Sequence, residues 1–292
     1  MERLDELTGL IERHGRPGAF RTPVPRLTLV RQDGPADRVD LHYSTMMCLV
    51  AQGQKSFTDT FVGAGEVFLS ILDTYVLADM SAGYRAAVLE IETSLLLDIL
   101  TADPLPPPSG VPRAFAKAGA DAALVDAVTR WVRLLDEPDT AAALAPLVER
   151  EVLIRLLTGP LGATLRAGVR SRPVVEVRAA VTFIVEHLTE PFTVGDVARA
   201  AHVSEATLFR LFKATLGVTP VQYRQAHRLQ RARSLLAAGA HTAESAALAV
   251  GYRSASQFGH DYRARYGRTP GRDREHLMRP DVRATATRLL SF

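Results

Sequence analysis

The sequence predicts an α+β multidomain chain: an N-terminal antiparallel β-barrel or sandwich, a helical middle segment and a C-terminal all-α double helix-turn-helix. One helical signature occurs twice, as SEATLFRLFKATLGVTP from Ser204 to Pro220 and as SASQFGHDYRARYGRTP from Ser254 to Pro270, offset by 50 residues. Residues 26–92 hold short runs rich in Val, Leu, Ile and aromatics, parted by Gly, Asp or Ser. Between these regions two longer stretches carry apolar residues at helical spacing.

A chain of 292 residues, 47% hydrophobic, has material for about two cored domains. Its single cysteine, Cys48, excludes an internal disulfide. With no charged-then-apolar leader and no apolar run of about eighteen residues, a cytoplasmic protein without a membrane partner is expected.

In chain order, ERLDELTGLIERHG places Leu4, Leu7 and Ile11 on one side of an N-terminal helix. RLTLVR, MMCLVAQG, EVFLSI, TYVLADMS and YRAAVLEIE then read as strands of a small barrel or sandwich. Cys48 sits within such a strand, where a buried thiol is the commoner state than a redox sensor. His42, Gln52 and Lys55 are candidates for lining a ligand cavity, but turn and surface roles explain them equally well, so the ligand-binding residues stay unknown. A metal-dependent barrel enzyme would need several inward histidines and a carboxylate, whereas this half has only His14 and His42. No metal site and no cofactor are therefore expected.

Thr101 to Pro112, TADPLPPPSGVP, is too rich in proline for a helix and reads as a connector. DAALVDAVTRWVRLLD then places Leu124, Val128, Trp131 and Leu135 on one face, and PLVEREVLIRLLTG places Leu147, Val152 and Leu156 on another, predicting an antiparallel helix pair. Basic, glycine-containing residues from Arg166 to Pro173 read as a linker. The tail beyond Arg279 is expected to fray.

In the first repeat Thr193 caps a short helix with Asp196 three residues on, and Val194, Val197, Ala198 and Ala201 form its apolar side. A turn at His202-Val203 leads to a second helix capped by Ser204 and stopped by Gly217. Leu208, Leu211 and Phe212 stripe its inner face, leaving Glu205, Ala206, Phe209, Arg210 and Lys213 outside. In the second repeat Thr242 opens the first helix, Gly251-Tyr252 turns, and Phe258 and Tyr262 are inward. Ala255, Ser256, Gly259, His260 and Arg263 face out. Such a helix fits the major groove of double-stranded DNA, Arg210 forking onto a guanine and Lys213 and Arg263 reaching phosphates. An ordinary bundle with a solvated charged face is the bland alternative, which two copies in register disfavour.

Thr219-Pro220-Val221-Gln222 starts a connecting helix that Gly239 ends, with Tyr223, Ala226, Leu229 and Leu236 apolar. At about 1.5 Å per residue it spans roughly 30 Å, close to the ~34 Å of one DNA turn. Residues 173–292 carry 17 Lys/Arg against 10 Asp/Glu, and residues 1–172 carry 18 against 22. The basic half suits nucleic acid, with Arg224, Arg228, Arg231 and Arg233 clustered on the connecting helix and about half of them expected on phosphate.

TVGDVARAAHVSEATLFRLFKATLGVTPVQYRQAHRLQRARSLL with VGYRSASQFGHDYRARYGRTP resembles the DNA-binding domain of the AraC/XylS family of bacterial transcriptional regulators. The resemblance implies seven helices with two helix-turn-helix units. It also implies that Ala206, Phe209 and Arg210 face bases in the first unit and Ala255, Ser256, Gly259 and His260 in the second. Phe209 would touch a thymine methyl or pack on a neighbour, and Ala255 and Gly259 would leave shape and backbone to do the reading. PGRDREHL stands where the family usually closes with a tyrosine-arginine motif. More weakly, RTPVPRLTLVR, CLVAQGQKSF and GAGEVFLSILDTYVLADM are similar to the cupin-like N-terminal domain of one subfamily, which implies a small-molecule effector.

The expected domains are then 1–100, a cupin-like sensor; 101–165, connector and helical hairpin; 166–176, linker; 177–278, DNA-binding; and 279–292, tail. The family implies a transcriptional activator rather than an enzyme, with an RNA polymerase contact and a homodimer formed through the helix pair. Packing of that pair against its own barrel is the alternative. Two rivals for the whole are a ligand-independent architectural DNA-binding protein and a cupin-type enzyme with a DNA-binding tail.

Overall fold

The computed structural model describes residues 2–57, 60–102, 105 and 112–279. They divide into two compact units, the first ending at Val175 and the second beginning at Glu176.

In the first unit the predicted N-terminal helix is α1, Glu2–His14, with Leu7, Leu10 and Ile11 buried. Nine strands follow: β1 Gly18–Arg21, β2 Leu27–Gln32, β3 Ala36–Tyr43, β4 Met46–Gln52, β5 Gln54–Phe57, β6 Thr60–Gly63, β7 Glu66–Ser70, β8 Thr74–Met80 and β9 Tyr84–Glu90. After helix α2, Thr93–Ala102, a tenth strand β10, Phe115–Gly119, returns to the β-structure. Two antiparallel sheets result, ordered β1-β2-β9-β4-β7-β10 and β3-β8-β5-β6. Strand β4, MMCLVA up to its last residue, is buried on both faces, because it is central in the large sheet and covered on one side by α1. Cys48 is buried there, as its apolar strand predicts.

The sheets meet through aromatic rings. Tyr43 on β3 and Phe57 on β5 lie 5.2 and 4.9 Å, centroid to centroid, from Phe68 on β7, and Phe57 lies 5.7 Å from Phe115 on β10. Edge and tilted stacking sets these rings against one another between the sheets. Strand β10 occupies a stretch expected as connector and helix. FAKAG is short and half polar, so only its pairing with β7, in register from Phe115↔Ser70 to Gly119↔Glu66, makes it a strand. Among the three candidate cavity residues Gln52 is exposed and His42 half-buried. Lys55 is buried, not at a turn or surface. His14 bonds Asp136 at 2.8 Å, and His42 lies 3.7 Å from Asp73.

Helix α3, Ala122–Arg133, is capped by Asp121, whose Oδ1 accepts from the Leu124 amide at 2.7 Å. A 3-10 turn leads to α4, Pro138–Thr158, and then to α5, Gly162–Arg170. Helices α3 and α4 pack as the expected pair, burying Val128, Trp131 and Val132 against Val152, Leu153 and Leu156. Leu147 departs from its expected place on the inner face and is 65% exposed. The inner face of α4 runs through Ala145, Glu149, Val152 and Leu156, on the side away from Leu144, Leu147 and Ile154, which are all exposed. Residues 166–176, expected as a linker, are helical except at Ser171. Gly168 marks a close approach rather than flexibility, since a Cβ there would meet the Ile71 side chain at 3.0 Å.

Charge ties helices to sheets. Arg26, before β2, donates from Nε and Nη2 to the two carboxylate oxygens of Glu149 on α4 at 2.6 and 2.5 Å, and Glu149 is buried. The hydrogen bond to Glu149 holds the Arg26 guanidinium above its ordinary range. Arg85 on β9 donates to the Gln32 carbonyl, to Asp33, and to Glu12 on α1.

The second unit is helical. Helix α6, Arg172–Glu186, crosses the boundary, followed by α7 Val194–Ala200, α8 Glu205–Leu216, α9 Pro220–Ala237, α10 Ala243–Ala249, α11 Ala255–Tyr266 and α12 Pro270–Leu277. Among the described residues α6 to α12 make the seven helices that the resemblance implies. No single described helix is long and apolar enough to cross a membrane. Most of the proline-rich connector, and the tail beyond Arg279, lie outside the described residues.

Arg26→Met would leave the Glu149 carboxylate buried without its counter-charge. It is expected to destabilise the protein by about 3 kcal/mol in urea unfolding, with Arg26→Met/Glu149→Met recovering most of the loss. An unchanged midpoint for the single variant would show that the pair does not hold α4.

Candidate nucleic-acid interface

Short helices are stable here because their first amides are satisfied by side chains. At α7 the Thr193 hydroxyl accepts from the Asp196 amide at 3.2 Å and Asp196 accepts from the Thr193 amide at 2.7 Å. Val197, Ala198 and Ala201 are buried beneath it. His202, at φ 54°, makes the turn in the left-handed region. Ser204 then caps α8 by accepting from the Thr207 amide at 3.2 Å, and Gly217, at φ 75°, ends it. Leu208, Leu211 and Phe212 are buried, so the stripe predicted to face inward does so.

The second repeat is built alike. Thr242 and Ser245 form a reciprocal cap on α10, Ser254 caps α11 at 3.3 Å, and Gly267 ends α11 at φ 75°, matching Gly217. Phe258, Tyr262 and Tyr266 form its buried side. The repeats differ in the turn. Caps Thr193 and Thr242 are 49 residues apart, whereas Ser204 and Ser254 are 50 apart, so the second turn holds one more residue. Gly251, at φ 83°, absorbs it. A Cβ there would lie 2.8 Å from both the Thr189 carbonyl oxygen and the Arg228 guanidinium. Tyr252 follows, its hydroxyl donating to Asp261 on α11 at 3.1 Å.

Helix α9 joins the repeats, opened by the predicted Thr219/Gln222 capping box with Pro220 in the first turn. Its arginines are mostly not free for phosphate, which corrects the expectation from the sequence. Arg224 donates to the Glu190 carbonyl and stacks on Phe192 at 3.8 Å, and Arg228 donates to the Leu188 carbonyl at 2.7 Å. Both clamp α9 to the segment after α6. Burial and the neighbouring Arg228 push Arg224 down to about 10, still charged at neutral pH. Arg231 is exposed.

Arg233 is used further along α9. Its Nε donates to Asp273 Oδ2 at 2.9 Å, and its guanidinium lies 4.4 Å over the Tyr266 ring. The Tyr262 hydroxyl donates to the same Asp273 oxygen at 2.8 Å, and burial raises Tyr262 far above the ordinary phenol range. Asp273, on α12, is 1% exposed, so α9, α11 and α12 share one buried carboxylate. This centre was missed in the sequence because an aspartate in the first turn of a helix after Thr269-Pro270 is already explained by the helix dipole.

The outward faces stand where the sequence places them. Ala206, Arg210 and Lys213 on α8, and Ala255, Ser256, His260 and Arg263 on α11, are exposed; Gly259 is half-buried and Phe209 is 38% exposed. Lys213 donates from Nζ to the Gly217 carbonyl at 2.9 Å, capping its own helix.

Gly251→Ala should lower stability by about 2 kcal/mol, since the new methyl meets a carbonyl at a backbone angle that L-residues resist. Asp273→Ala, which strands Arg233 in the interior, should lower it by about 3–5 kcal/mol. Urea unfolding checks both, and wild-type midpoints would refute the roles given to these residues.

Residues 23–164 match the family model described as AraC-type transcriptional regulator N-terminus, and residues 197–276 match that of a helix-turn-helix domain. The chain is similar to the HTH-type transcriptional regulator CdhR of Pseudomonas aeruginosa, 33% identical over 117 residues covering 40% of this chain and 34% of that protein. It is also similar to an AraC-like transcription regulator of Streptomyces lividans, 36% identical over 104 residues, 36% of this chain and 34% of that one. The chain thus spans about a third of the length of these curated relatives. Among solved structures, apo ToxT of Vibrio cholerae shares the fold, with a TM-score of 0.51 and 11% identity over 90% of this chain and all of that one. The chain thus carries the N-terminal domain of AraC-type transcriptional regulators followed by a helix-turn-helix domain.

Proposed function

We propose that the protein binds specific double-stranded DNA through its second unit and regulates transcription in response to a small molecule received by the first. The observation that carries this is the uncommitted outer face of α8. Its inner stripe and both ends are fully engaged, yet Arg210 has no hydrogen bond or ion pair to the described residues. A guanidinium held out on a rigid, capped helix suits bidentate recognition of a guanine.

Ala206, Phe209 and Arg210 then face bases, and the exposure of Phe209 favours a thymine methyl over packing on a neighbour. Ala255, Ser256, Gly259 and His260 face the next groove. Lys213 exchanges its own helix carbonyl for a phosphate, and Arg263 binds another. Helix α9, 18 residues and so about 27 Å long, suits a separation near one turn of DNA. The exposed Leu144, Leu147 and Ile154 on α4 support a homodimer through that helix. Cytoplasmic location, activation and contact with RNA polymerase rest on the family resemblance alone.

The small side chains of Ala255 and Gly259 favour a second reading for α11, in which it follows groove shape and the protein acts architecturally. Capture of fragmented genomic DNA on the purified protein at physiological salt, followed by sequencing, separates the two. Sharp peaks with two motifs about one helical turn apart support a specific regulator; uniform recovery supports the architectural protein. At a captured site Arg210→Ala should cost about 1–3 kcal/mol and relax preference at one base pair. Arg263→Ala should weaken all sequences alike and reduce the salt slope by about one. Equal losses on cognate and random DNA for Arg210→Ala would remove it from the base-reading set.

A further inference from the structure

We propose that Lys55 and Tyr43, inside the first unit, form the head of a binding site for a small organic carboxylate whose apolar remainder lies against Phe57, Phe68 and Phe115. The inference rests on the effector reading above and names the chemistry of that effector.

Lys55 leaves β5 of the small sheet and ends between the sheets, 3% exposed. Its ammonium lies 5.0, 5.1 and 5.9 Å from the ring centres of Tyr43, Phe68 and Phe57, and the Cys48 sulfur is 4.0 Å away. Among the described residues no carboxylate pairs with it. The Tyr43 hydroxyl, near enough for the ammonium to act on it, is buried without a hydrogen-bond partner. Burial holds both Tyr43 and Tyr84 above the ordinary phenol range, so both remain hydroxyls; that of Tyr84 lies against the Cys48 sulfur at 3.6 Å.

Such a cluster is out of character for this protein. The chain has 32 arginines and three lysines, Lys55, Lys117 and Lys213. Of its other inward cations, Arg26 is matched by Glu149, Arg85 by Asp33 and Arg233 by Asp273, while Arg224 and Arg228 meet backbone carbonyls that Lys55 lacks. Ring faces attract an ammonium but replace only part of the hydration lost on burial. A structural role would be filled better by methionine in the same space. An ammonium kept among rings with no carboxylate beside it points to a counter-charge that arrives from outside. Two donors, one charged and one neutral, match the two oxygens of a carboxylate; a phosphate dianion would need more. Three phenylalanine rings beside them, Phe57, Phe68 and Phe115, accept an apolar body, not a sugar.

The test uses the full chain and matched pairs of probes, benzoate with benzamide and hexanoate with hexanamide. With only three lysines, carbon-13-labelled lysine gives a spectrum in which Lys55 is identified by its loss in Lys55→Met. At least one acid should move the Lys55 resonance and raise the melting temperature, its amide binding about tenfold more weakly or less. Lys55→Met should fold, melt above the ligand-free wild type, and lose the preference for acid over amide. No response to any acid, equal binding of acid and amide, or a Lys55→Met variant that keeps the preference overturns the site. So does a Lys55→Met variant that melts well below wild type, or ultraviolet absorbance showing a Cys48 thiolate as the resident counter-charge. DNA binding is read in parallel. A neutral compound that alters DNA binding while every acid fails would keep the effector reading and discard the carboxylate; acids that bind Lys55 without altering DNA binding would do the reverse.

Discussion

A charge removed from water must be met by an opposite charge or by aligned dipoles, and both units depend on arginines that satisfy this demand. Arg26 joins the strand entry of the first unit to Glu149 in the middle of a long helix, and Arg85 joins the large sheet to α1. In the second unit Arg224 and Arg228 receive backbone carbonyls at the end of the segment after α6, while Arg233 receives Asp273. The guanidinium suits these places because its planar fork meets two acceptors at once and stays charged when half-buried. A basic second unit is therefore less available to DNA than its composition suggests. Positive charge turned inward holds the scaffold, and the exposed residues, Arg210 and Arg263 among them, are left for a ligand.

That division explains how helices of seven to twelve residues can present side chains with fixed direction. Isolated, they would be marginal. Hydroxyl caps at Thr193, Ser204, Thr242 and Ser254 satisfy the first turns, buried aromatic and leucine stripes hold the inner faces, and the Asp273 cluster ties the second repeat to α9. Rigidity at the root of Arg210 is what gives its free end a defined reach.

The repeats were legible in the sequence because hydroxyl caps, glycine stops and inner stripes are local signals, and each recurs. The apolar strands β2, β4, β7, β8 and β9 were legible for the same reason. Strand β3, ADRVDLHY, was not: Asp37 and Arg38 are exposed side by side, Asp40 is buried, and the bulge between Ala36 and Val39 breaks the period. Strands β5 and β6 are four residues long, and β10 is a strand only by virtue of its partner. Partnerships across 40 or 123 residues, Arg233 with Asp273 or Arg26 with Glu149, leave no mark in a local window. For Lys55 the sequence offered a cavity, a turn or a surface. Its burial depends on how two sheets close, which no spacing along β5 encodes.

The extra residue at Gly251 and the unlike outer faces mean that the tandem units are not equivalent readers. They follow one another head to tail in a single chain, with Phe209 and Arg210 on one and Gly259 and His260 on the other. A DNA site read by such a pair has a direction. Turned end for end it would offer the outer face of α8 the half that suits α11, so the proposed reading gives the protein a polarity on its DNA.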